Sequence, residues 1–111
     1  MITVDHYVTL SALLFVIGGV GFLVRRNVLT QLMSIEVMLN AANLALVAFN
    51  RSHVARRSGA LYSGASHTGQ VFAFFIIAAE AAEVAVGLAI VLSMYRLRRT
   101  VRSDEADLLK N

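Results

Sequence analysis

At 111 residues the chain has room for one domain, 1–111, and its 58% hydrophobic and 15% charged composition leaves too few polar side chains to coat a soluble fold of that size. Without cysteine there is no disulfide, no thiol nucleophile and no iron–sulfur ligand, and His6, His53 and His67 are spaced like no metal site. The net charge of +3 comes from basic residues, mostly arginines, that flank apolar runs, which fits juxtamembrane anchoring and argues against nucleic-acid binding.

A membrane helix needs about 20 predominantly apolar residues. The first such run, 7–24, contains no charge. It lacks the basic leader segment of a signal peptide, carries Asp5 ahead of it and is followed by Arg25 and Arg26, so it is expected to persist as a helix. Gly18, Gly19 and Gly21 suit close packing against a neighbouring helix. Asn27 then offers an N-cap for a second run.

The second run, 28–49, is interrupted by Glu36 and by amides. A charged side chain at mid-bilayer costs on the order of 3 kcal/mol even on lenient insertion scales. Glu36 is therefore either functional or a protonated group bonding a neighbouring helix. Asn40 and Asn43 follow at i+4 and i+7, on the same helical face. That stripe requires a protein neighbour or a hydrated cavity, since amides facing lipid would go unsatisfied. Interhelical glue and the lining of a polar path both explain the asparagines.

Residues 50–70 are rich in Arg, Ser, Gly and His and read as a flexible extracytoplasmic loop, with Thr68 as the expected N-cap of a third helix. The third run, 71–95, holds Glu83 at its centre and Glu80 one turn away, among many alanines. Two carboxyls at i and i+3 do not easily both ionise in low dielectric, an arrangement suited to proton exchange. The small residues imply helix partners, and three short helices cannot shield every polar face alone. The chain is thus expected to be a subunit of a larger assembly.

The tail, 96–111, is basic and then acidic. Arg25, Arg26, Arg96, Arg98, Arg99, Arg102 and Lys110 fall on one side of a three-span protein, against Arg51, Arg56 and Arg57 on the other. That excess predicts an N-terminus outside and a cytoplasmic C-terminus and tail. The expected fold is an all-α, multi-pass membrane protein of three transmembrane helices.

The stretch Arg25-Arg26-Asn27, followed by Ser34-Ile35-Glu36-Val37-Met38-Leu39-Asn40-Ala41-Ala42-Asn43-Leu44, resembles the K subunits of bacterial NADH-quinone oxidoreductase, respiratory complex I. So do Gly69-Gln70-Val71-Phe72 and Ala81-Ala82-Glu83-Val84-Ala85-Val86-Gly87-Leu88-Ala89. The resemblance spans roughly 7–99, and Asp107-Leu108-Leu109-Lys110 is similar to the tail of actinobacterial members. It implies three helices packed against other membrane-arm subunits of a hetero-oligomer in the bacterial inner (plasma) membrane.

It also implies a non-redox role in proton translocation, with flavin, iron–sulfur clusters and quinone held elsewhere in the parent complex and no cofactor in this chain. Glu36 and Glu83 match the family's two intramembrane glutamates. Glu80 stands where the family has a small apolar residue, so its role, in the proton path or in a local hydrogen bond, rests on the general argument from intramembrane carboxyls alone. Thr68 replaces the family's Asp, and the loop 50–68 is longer and more basic than usual. A small subunit of a multisubunit cation/proton antiporter is the nearest alternative, though both glutamate motifs are not expected there. A two-helix ring subunit of ATP synthase and a four-helix exporter fit the span count less well. A scaffold subunit that only packs is the remaining one.

Overall fold

The computed structural model describes residues 1–57 and 67–105, with 54–57 and 105 by backbone alone. Among them are three long helices, α1 (Val4–Val24), α2 (Val28–Arg57) and α3 (Thr68–Arg98), followed by a short 3-10 turn, Ser103–Glu105. No strand occurs among these residues. All three helices are long and apolar enough to cross a membrane. The 31 residues of α3 make a rod of about 46 Å, longer than the ~30 Å hydrocarbon layer, so its ends reach beyond the apolar zone or the helix tilts.

Each helix outruns the apolar run that defines it, because a backbone with internally paired amides continues through polar residues as long as none breaks it. There is no proline to do so. Hence α2 passes Phe49 and takes in Asn50–Arg57, and α3 begins at Thr68; of the expected loop, residues 58–66 lie outside the described residues, as does the tail from 106 onward. The side chains of Arg56 and Arg57 are likewise outside them.

Asn27 caps α2 as expected: its Oδ1 accepts the Leu29 N–H at 2.9 Å. Thr68 does not cap α3. It is the first residue inside that helix, and the boundary residue is His67, whose carbonyl accepts the Val71 N–H at 2.9 Å and whose ring meets Gln70 Oε1 at 3.2 Å. His6 closes the start of α1 in a similar way, its Nδ1 lying 2.7 Å from Thr3 Oγ1.

α2 is the centre of the fold, packing closely along α1 and over a narrower contact against α3. The close approaches are made by glycine. A Cβ on Gly18 would lie 2.8 Å from the Ser34 carbonyl oxygen, and one on Gly69 would lie 2.5 Å from Asn50 Cβ. Without Cβ atoms at these points the helix backbones come together, which is how membrane helices gain dispersion contacts. Ser11 adds a buried bond across the first pair, its Oγ donating to the Ala41 carbonyl at 2.6 Å.

After α3 the chain reverses at Arg99, which takes a left-handed conformation (φ 57°, ψ 24°) with its N–H bonded to the Tyr95 carbonyl at 2.8 Å. The following strap returns to the α1–α2 turn. Val28 donates its N–H to the Val101 carbonyl and Ser103 donates to that of Arg26, both at 2.8 Å, pairing Asn27 with Arg102 in an isolated antiparallel bridge.

Candidate functional site

Two polar side chains of the spans, Asn43 and Glu80, are buried in the α2–α3 contact. These helices run antiparallel, with Asn50 against Gly69, Asn43 against Ala73 and Leu32 against Gly87. That register sets Glu36 of α2 opposite the Glu80–Glu83 turn of α3. Glu80 thus lies near both Glu36 across the contact and Glu83 on its own helix.

The three glutamates meet different surroundings. Glu80 is buried against α2, Glu36 is half-buried at the rim of the contact, and Glu83 is exposed beside it on α3. A spacing of i, i+3 leaves side chains about 60° apart around a helix, enough to put one in the seam and the other outside it. The expected pairing of Glu80 and Glu83 therefore holds in sequence spacing but not in environment. Sequence reasoning favours Glu83 over Glu80; burial singles out Glu80.

The asparagines separate likewise. Asn43 is buried and its Nδ2 donates to the Ala73 carbonyl across the seam at 3.5 Å. Asn40 is exposed and satisfies one of its donors within α2, Nδ2 to the Glu36 carbonyl at 2.9 Å. Asn43 thus crosses the helix contact, while Asn40 needs no partner helix for that bond. Ser11 and Ser34, the buried hydroxyls of the α1–α2 contact, do not stand out from sequence, although small hydroxyls in apolar helices are a recognised signal of such contacts.

Two buried acceptors on the seam have no hydrogen-bond partner, Asn43 Oδ1 and Glu80 Oε1. Buried polar atoms are nearly always bonded, so each marks a place where a donor is expected. A groove of about 210 Å³ opens beside the seam, lined by Val47, Gln70, Ala73, Phe74 and Ile77. Ala73, the residue that Asn43 bonds, lies in its wall.

Among the described residues no group of three His, Asp or Glu side chains could hold a metal ion. The absence of cysteine from the whole chain weighs more, since iron–sulfur clusters need thiolate donors. The chemistry open to this arrangement is proton exchange between carboxyls.

A family model described as NADH-ubiquinone/plastoquinone oxidoreductase chain 4L matches residues 6–111. The NADH-quinone oxidoreductase subunit K of Sorangium cellulosum (strain So ce56) is 54% identical over 110 residues, covering 99% of this chain and 97% of that relative.

Proposed function

Because the chain belongs to the NADH-ubiquinone/plastoquinone oxidoreductase chain 4L family and is a small membrane-arm subunit of NADH-quinone oxidoreductase, we propose that Glu36 and Glu83 are the carboxyls through which it takes part in proton translocation. The chain is not itself catalytic, and hydride and electron transfer, with the flavin, iron–sulfur clusters and quinone that serve them, belong to other subunits. Its contribution is to hold exchangeable protons inside the bilayer.

The observation that carries this reading is the antiparallel register that places Glu36 opposite the Glu80–Glu83 turn. Carboxyls on two facing helices give a proton successive places to rest without crossing hydrocarbon as a bare charge. Glu83, exposed on α3, then faces a neighbouring membrane-arm subunit, because a carboxyl turned to lipid would have neither donor nor water. The chain lies in the bacterial inner (plasma) membrane with its N-terminus outside and its tail cytoplasmic, a reading supported by the excess of arginine around the α1–α2 turn and after α3.

Glu36→Gln and Glu83→Gln test the proposal in the assembled complex. NADH-driven proton uptake into inside-out membrane vesicles, divided by NADH oxidised, should fall several-fold while native gels show intact assembly. Full pumping by both assembled variants would leave the packing-only scaffold as the function.

A further inference from the structure

Resting on the proton-path reading of Glu36 and Glu83, a second inference concerns the glutamate between them. Glu80 keeps only 7% of its surface exposed, and its Oε1 has no hydrogen-bond partner. A glutamate serving only as a local tie should spend its buried oxygen on a bond to its own helix or the next. This one does not. Glu36 acts on Glu80 from α2 and Glu83 from α3, while neither satisfies the buried oxygen. About 10 Å along α3, at seven residues' rise, Ala73 receives the amide of Asn43, whose own Oδ1 is also buried and unbonded at 7% exposure. Two unpaired acceptors on one seam describe sites for water, which supplies the donors that the helices lack.

We propose that Glu80 is a third proton-exchange residue, set between Glu36 and Glu83 and reached by water held in the α2–α3 seam. Protonated Glu80 hands its proton to the Glu83 carboxylate and becomes a carboxylate itself. A seam water passes one of its protons to that Glu80 carboxylate. The water is restored by the proton of Glu36, which is left as carboxylate. Only O–H bonds break and form, nothing is oxidised or reduced, and the sequence runs equally in reverse. Glu80 supplies the buried station that Glu83, exposed at the flank of the seam, does not.

The test compares Glu80→Gln and Glu80→Asp with Glu36→Gln and Glu83→Gln in the complete enzyme. Protons taken up per NADH should fall at least two-fold in Glu80→Gln and recover in part in Glu80→Asp, which keeps the exchangeable group. Turnover-induced infrared difference spectra should contain a deuterium-sensitive carboxyl band that Glu80→Gln removes. If Glu80→Gln pumps at the wild-type ratio and keeps that band while Glu36→Gln and Glu83→Gln are impaired, Glu80 is no station and the inference is overturned. Failure of both Glu80 variants to assemble would make its role one of packing and would overturn the inference as well. Full pumping by all the variants would instead remove the underlying proton-path reading, and this inference with it.

Discussion

A Cβ added at Gly18 would meet Met38 Cγ at 2.6 Å and the Ser34 carbonyl oxygen at 2.8 Å, whereas one added at Gly19 would meet nothing within 4 Å. Met38 has a flexible side chain that can move; the carbonyl belongs to the α2 backbone and cannot without shifting the helix. Gly18→Ala should therefore push α1 from α2, at the cost of about 1–3 kcal/mol typical of overpacking. Gly19→Ala should be neutral or slightly stabilising, since alanine is the better helix former by about 1 kcal/mol. The comparison is read from the thermal midpoint of the purified complex and the amount assembled in membranes. Equal behaviour of the two variants would mean that the α1–α2 approach at Gly18 is not tight.

At the scale of elements, the N-terminus of α2 is held by two devices, the Asn27 side chain and the strap that follows α3. Asp104 ties the strap down through Arg26, 3.4 Å away in the α1–α2 turn, and accepts within the strap from Arg102 at 2.9 Å. The Arg102 hydrogen bond, chiefly, holds the Asp104 carboxyl below its ordinary value of 3.8. Arg102 belongs to the strap itself, so only the smaller share of that lowering due to Arg26 favours docking, and it disappears as pH falls through the docked value. The strap is thus expected to be docked at neutral pH and to loosen only slightly in acid below about pH 4. Asp104→Asn should imitate that loosening at neutral pH. Amide exchange at Ser103 and Val28, whose N–H groups are bonded in the bridge, should then quicken a few-fold, and unchanged exchange would show that the backbone pairing needs no help from the carboxylate.

Much of this architecture is legible in the chain. The three apolar runs, the arginine flanks and the Asn27 cap follow from local composition. The extra turns of α2 beyond Phe49 do not, because apolar content stops there while nothing stops the helix. Thr68 misleads as a cap because His67 already closes the turn. The strap is a pairing of distant backbones and leaves no mark on periodicity. As for the site, Glu36, Glu80 and Glu83 stand out by their cost in a bilayer, but which of them points inward depends on helix rotation, set by Gly69 and Gly87 against α2.

The whole molecule is mostly surface. Leu13, Ile17 and Leu23 of α1 and Phe74, Phe75 and Ile90 of α3 are all exposed, and large apolar side chains at such density suit lipid or partner helices, not water. Membership of a multisubunit oxidoreductase makes partner helices part of that cover. Charge gives only the expected orientation, and the chain is well suited to a direct measurement because it has no cysteine of its own. His67 lies at the start of α3 and Ser103 beyond its end, both exposed. With the expected orientation, His67→Cys in intact cells from which the outer barrier has been removed should react with a membrane-impermeant maleimide. Ser103→Cys should stay unlabelled until the membrane is opened or inverted. A reversed pattern would put the strap, and the seven basic residues of its side with it, on the outside, against the rule that sets most small membrane proteins in place.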